Sequence, residues 1–326
     1  MENINGRLEK ELKSEKQMQE KLANLPKIFT DFYYYLSNKS YLTRYNYINH
    51  IKEFMDFVTN GKDTEDFYKN VTPFDINRYM SSIKTYQTKS GIRKTSDSAL
   101  AAHWSSLNAF YNFLYLNDIV PANIVLKTER PKIKDEKHKE SLTKKEIKNM
   151  KKNIENNRHH KNINRDQLIF ALGITTGLRV SAISQLNLED LDLEHNRLQV
   201  IEKGGKYRII EFGDNLKEMF NAYLIDREKY YGNVDSNALF LSQEKTRLSI
   251  YQINRLMAKY AKNITDKHVT PHTLRRTSAT QLYNKTGDIY LVGNHLGHAD
   301  ISTTKRYISI DEEKQKSKVE FMDSMI

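Results

Sequence analysis

The chain has 326 residues, a net charge of +11 and no cysteine, so two domains of ordinary size are expected and disulfide scaffolds, cysteine zinc sites and thiol nucleophiles are excluded. With 38% hydrophobic and 29% charged residues, no run approaches the roughly 18 consecutive apolar residues of a membrane helix. The opening, Met1 to Glu20, is polar and lacks the apolar run and cleavage signature of a leader, which predicts a cytoplasmic protein, and the basic balance predicts a polyanionic partner.

After a polar lead-in with Leu8, Leu12 and Leu22, the residues Tyr45, Ile48, Ile51, Met55 and Val58 recur at helical spacing. The opposite face carries Arg44, Asn46, Asn49 and Lys52, and Asn60-Gly61 supplies a left-handed stop. A second helix is predicted from about Ser96 to Asn117. Its apolar set is Leu100, Trp104, Leu107, Tyr111 and Leu114, and its polar face holds Ser96, His103 and Ser106, preceded by Lys89, Arg93 and Lys94. Short polar side chains with basic flanks suit a helix in a DNA major groove; an ordinary amphipathic helix has the same period.

Between Lys127 and Arg165 the net charge is +8, so most of the excess sits in a small part of the chain. The stretch Glu129-Arg-Pro-Lys-Ile-Lys-Asp-Glu-Lys-His-Lys-Glu140 has little to bury and a proline to keep it extended. It reads either as a solvated tether or as a strap along phosphates, each neutralised charge releasing a counterion. Beyond it, Thr143 with Glu146 forms a capping-box pattern, and Gln167 to Thr176 is apolar enough for a buried helix. Arg197–Ile201 and Tyr207–Ile210 are β-rich and joined through Lys203-Gly204-Gly205-Lys206, which predicts a hairpin. From Ile250 onward the period is helical, interrupted at Thr270-Pro271 and Gly287.

No single motif here is diagnostic, but their order is. Thr176-Gly-Leu-Arg179, a lysine on a hairpin, His272-Thr-Leu-Arg275, Leu296-Gly-His298 and Thr303-Thr-Lys-Arg-Tyr307 together resemble the tyrosine recombinase (phage integrase) family over about Leu142 to Ile310. The N-terminal half is more weakly similar to the family's core-binding domain. The resemblance implies a mainly α protein with a small antiparallel β-sheet, built as a two-domain C-shaped DNA clamp. Residues 1–126 would form a helical core-binding domain with its lead-in, 127–141 a basic linker, and 142–326 the catalytic-type domain.

The resemblance also assigns roles. Tyr307 would be the nucleophile that stores the bond energy as phosphotyrosine. Arg179 and Arg275 would neutralise the non-bridging oxygens through fixed guanidinium forks. Lys203, with Lys206 as the alternative, would protonate the leaving oxygen, and His272 and His298 would handle the tyrosine proton and the phosphate. Arg44, Lys94, His103, Lys132, Lys134 and Arg276 are the expected DNA contacts. The partner is double-stranded DNA with a specific site, with self-association on it; no metal, cofactor, nucleotide or membrane is implied. His295 and His298 lack a carboxylate at metal-ligand spacing.

The departures from the family pattern concern supporting residues. Ala182 stands where a glutamate is usual, Arg276 where a histidine is usual, and His295 at a usually apolar position. Each would loosen the geometry of the groups it supports. The whole chain moreover resembles a regulatory member of the family, which implies a prophage repressor that maintains lysogeny by silencing phage genes; strand exchange through phosphotyrosine is the alternative.

Overall fold

The computed structural model describes residues 14–62, 65–88, 91–133, 141–157, 161–201, 207–232, 234, 236–297 and 304. The chain divides into two compact units, Met1–Glu136 and Lys137–Ile326.

In the first unit, residues 14–22 are helical and are followed by α1 (Lys27–Tyr35), α2 (Tyr41–Thr59), α3 (Pro73–Ser82), a ribbon of β1 (Thr85–Thr88) and β2 (Gly91–Lys94), and α4 (Asp97–Leu116). The helix ends follow local chemistry. Ser40 caps α2, whose left-handed stop falls on Asn60 with Gly61 also at positive φ. Thr72 and Asp75 form a capping box ahead of α3 with proline in its first turn. Ser96 caps α4 through a bond from the Ala99 N–H.

The predicted apolar face of α4 is buried from Leu100 to Leu114. It meets Ile48, Ile51, Phe54 and Met55 of α2 and a set of rings centred on Phe110. Phe32 packs edge-on against Phe110 with ring centres 5.1 Å apart, and Phe67 lies parallel to it at 6.0 Å. The predicted polar face turns partly inward. Ser106 is fully buried and its hydroxyl bonds His50 Nδ1 at 2.8 Å, because α2 supplies an imidazole where water was expected.

The second unit contains α5 (Lys144–Glu155), α6 (Ile163–Thr175), α7 (Val180–Gln185), a three-stranded antiparallel sheet β3-β4-β5 (Leu191–Asp192, Arg197–Ile201, Tyr207–Glu211), α8 (Asp214–Tyr231), α9 (Ile250–Ala261), α10 (Pro271–Thr286) and α11 (Ile289–Leu296). The expected hairpin is β4–β5, with Val200 opposite Arg208. The expected box at Thr143 caps α5; at Thr270-Pro271, read from the sequence as an interruption, a second capping box opens α10, and Gly287 ends α10 in the left-handed conformation. Leu198 and Val200 bury the inner face of β4 in a core shared with Leu168, Leu172, Phe220, Phe240, Ile253 and Leu274. At Gly173 a side chain would meet Leu274 Cδ1 at 2.8 Å, so the bare backbone lets α6 and α10 touch.

One expectation is corrected here. The basic stretch from Lys127 to Arg165 is not a continuous strap, since residues Lys144–Glu155 are helix α5 and Arg165 is internal to the second unit. Arg165 donates from Nε and one Nη to Asp166 and from the other Nη to the Leu241 carbonyl at 2.6 Å, while the Tyr260 hydroxyl donates to Asp166 at 2.8 Å. The neighbouring carboxylate permits a cation to be buried that a charge count assigns to the surface.

Candidate functional site

The site is assembled around Arg275, on the second turn of α10. Its side chain is fully buried. One guanidinium nitrogen donates to the carbonyl of Gly177, and another donates to the carbonyl of Leu296 at 2.7 Å. A planar fork thus joins the Thr176-Gly-Leu-Arg179 turn, α10 and the end of α11, segments that lie 98 and 21 residues from Arg275.

The turn itself depends on Gly177. Its φ is +60°, and a Cβ there would meet Leu296 Cδ2 at 2.7 Å and Ser278 Oγ at 3.4 Å. Two residues on, Arg179 is the half-buried residue that starts α7 in extended backbone conformation. Ala182, where a carboxylate was expected from the family pattern, is buried in the hydrophobic core.

The sheet contributes Arg208 from β5. Its Nη1 donates to the carbonyls of His295 at 2.9 Å and Asn294 at 3.3 Å, so Arg208 and Arg275 together hold the carbonyl end of α11, where cations are favoured. His295 bonds Ser278 Oγ through Nε2 at 2.9 Å. Burial, with Arg208 and Arg275 close by, holds its imidazole below the ordinary histidine range. The sequence marked His295 as unusual but not its partner. Arg208 was missed, although an arginine on the strand beside the lysine-rich hairpin was a usable signal.

Of the other expected catalytic residues, His272 is exposed on the first turn of α10. Lys203, Lys206, His298 and Tyr307 lie outside the described residues. The described part brings together two arginine boxes, the sheet and the start of the Leu-Gly-His box. Arg275 and Arg208 hold these segments together through their backbone carbonyls.

The expected DNA contacts fall into distinct settings. Lys94, at the end of β2, and Lys132 are exposed, Arg276 is half-buried, and Lys134 lies outside the described residues. Arg44 turns inward: its guanidinium lies 4.3 Å from the centre of the Tyr33 ring and 3.4 Å from Glu15. His103 does likewise. Its side chain is 14% exposed, its Nδ1 bonds the Tyr79 hydroxyl at 2.9 Å, and its ring stacks on His50 with centres 3.8 Å apart.

The chain shares the fold of XerH site-specific recombinase, solved bound to its difH substrate, with a TM-score of 0.67 at 20% identity over 88% of this chain and 81% of that one. Residues 140–314 match the model of the phage integrase family. Tyrosine recombinase XerC of Thermodesulfovibrio yellowstonii is 31% identical over 279 residues, covering 82% of this chain and 91% of that protein. XerD of Oceanobacillus iheyensis is 33% identical over 226 residues, covering 68% and 74%. The chain therefore belongs to the phage integrase family.

Proposed function

We propose that this protein binds specific sites in double-stranded DNA and exchanges strands there through a phosphotyrosine intermediate on Tyr307. The observation that carries the reading is the junction at Arg275, which ties both arginine boxes to the segment preceding His298. The names of the relatives, all site-specific or tyrosine recombinases, favour strand exchange over a purely regulatory role.

In this reading the Tyr307 oxygen attacks phosphorus as the bond to the 5′-oxygen breaks. Lys203 gives that oxygen its proton, His272 and His298 manage the tyrosine proton and the phosphate, and Arg179 and Arg275 offset the growing charge. The 5′-hydroxyl of a second strand then attacks phosphorus and releases Tyr307. Bond energy is conserved throughout, so the exchange needs no nucleotide. Lys94, Lys132, Lys134 and Arg276 would supply backbone and base contacts; Arg44 and His103 would first have to leave the partners they hold. Self-association on DNA belongs to the same proposal.

A second reading, a prophage repressor that binds without cutting, has one observation in its favour: Ala182 stands next to the first arginine box where the family pattern has a carboxylate. A suicide DNA substrate carrying the protein's own site, resolved on a denaturing gel, separates the two. Strand exchange gives a covalent adduct in the wild type that disappears in Tyr307→Phe. Tight binding with no adduct, unchanged by that substitution, overturns it in favour of silencing.

A further inference from the structure

Between α3 and α4 the first unit extends a two-stranded ribbon that has no buried face. Strand β4 of the second unit buries Leu198 and Val200, whereas none of the residues Thr85–Thr88 and Gly91–Lys94 is buried. Ile92 is 75% and Tyr86 51% exposed. An isolated hairpin is marginal in water, and this one is tied at both ends. Thr95 donates its N–H to the Lys84 carbonyl at 2.8 Å and its hydroxyl to Ile83, while the Thr88 hydroxyl donates to the Gly91 carbonyl at 2.7 Å. A segment held this firmly, with apolar side chains in water on both faces, is suited to contact something outside the chain.

Charge identifies the partner. Between Tyr79 and Ser96 the sequence holds Lys84, Lys89, Arg93 and Lys94 and no Asp or Glu. The centres of protein–protein interfaces are depleted of charge, whereas phosphates demand cations. Register then sorts the side chains. Thr85 pairs with Lys94 and Gln87 with Ile92 on one face, and Tyr86 pairs with Arg93 on the other. We infer that the β1–β2 ribbon enters a groove of duplex DNA and reads base edges with Gln87, Ile92 and Lys94 while Arg93 holds the backbone, an inference that rests on the DNA-binding reading above. The major groove admits a two-stranded ribbon, glutamine matches the adenine edge, lysine the guanine edge, and an apolar group the thymine methyl.

The test uses the full chain and two duplexes: a site enriched by the wild type from a random-sequence pool, and an unselected duplex. The double variant Gln87→Ala with Ile92→Ser is expected to lose about tenfold in affinity for the enriched site, to bind the unselected duplex as before, and to lose methylation protection at a few consecutive purines. Arg93→Ala should weaken both duplexes and flatten the dependence of log affinity on log salt by about 0.9 for each phosphate no longer neutralised. Unchanged denaturation of the first unit, followed through Trp104, guards against misfolding. Unaltered protection in the double variant, or an equal loss on both duplexes, overturns groove reading. A change of oligomeric state in place of a DNA effect makes the ribbon a protein surface and overturns it too. Failure of the wild type to enrich any site fails the DNA-binding reading itself.

Discussion

The first unit is held together by rings in contact, whereas the second carries charges within its core. Among the described residues the buried polar groups of the first unit are Ser106 and Asn123, while the second buries Arg165, Asp166, Arg227 and Arg275. Each of these arginines donates to backbone carbonyls: Arg165 to Leu241, Arg227 to Ser236 and Ala238, Arg275 to Gly177 and Leu296. Apolar packing is non-directional and tolerates exchange among side chains of similar volume. A buried guanidinium is directional, and here it fixes loops and a helix end to the elements that carry the arginines. The contrast places directional bonds where the segments of the second unit meet.

The single tryptophan makes the contrast measurable. Trp104 lies in the first unit, largely buried, with its indole N–H on Thr128 at 3.0 Å. Its fluorescence therefore reports that unit alone, and circular dichroism reports both.

The largest effect is expected for Arg275→Ala, which strands two buried carbonyls and should cost about 3–5 kcal/mol. The loss should appear in the dichroism transition while the Trp104 transition stays in place. Arg275→Lys should rescue little, because one ammonium cannot copy the fork; full rescue would show that charge alone suffices there. Next, Leu107→Ala in the first unit should cost about 3 kcal/mol, and Leu107→Met less than about 1.5. A Met variant as damaging as the Ala variant would remove the distinction between the units. Smaller again, Ser106→Ala leaves His50 without its partner and should cost about 1–2 kcal/mol by Trp104 fluorescence.

The smallest concerns acid. Burial, and then the charge of His103, pushes the His50 imidazole down to about 4. The unfolded chain, with histidine near 6.5, thus takes up the proton first, so stability is complete above about pH 6.5 and declines as pH falls toward 4. Since the ring is partly solvated, the decline should be on the order of 1 kcal/mol. It should fade in His50→Gln when denaturation midpoints are compared across that range; an equally steep decline in the variant would locate the titration elsewhere.

Much of the helical framework could be read from the sequence because its signals are local. Ser96 and Thr143 each announce a helix that starts one residue later, and the spacing from Leu100 to Leu114 gives the buried face of α4 correctly. The ribbon was not legible, because β1 and β2 are four residues each and wet on both faces, so no alternation betrays them. Nor was the inward turn of Ser106 and His103, since their partners His50 and Tyr79 lie on other helices. For the site, motif order singled out Arg179 and Arg275, and His295 stood out only as a departure from the family pattern; none of this could disclose that Arg275 and Arg208 hold backbone carbonyls, which is a property of three segments meeting.

The connections of the second unit also set a timetable for its birth. The Leu142 N–H donates to the Thr277 hydroxyl, and Lys267 reaches back to the Ser141 carbonyl, spans of 135 and 126 residues. At a ribosomal rate of about 5–20 residues per second, the segment around Leu142 waits roughly 7 to 27 s for Thr277 to be made. The aromatic unit closes its contacts within residues made earlier and can be complete by then. A nascent chain thus carries its N-terminal unit finished well before the arginine junction exists, so a polypeptide cut short before Leu296 would keep the first unit and lack the bond that joins Arg275 to the end of α11.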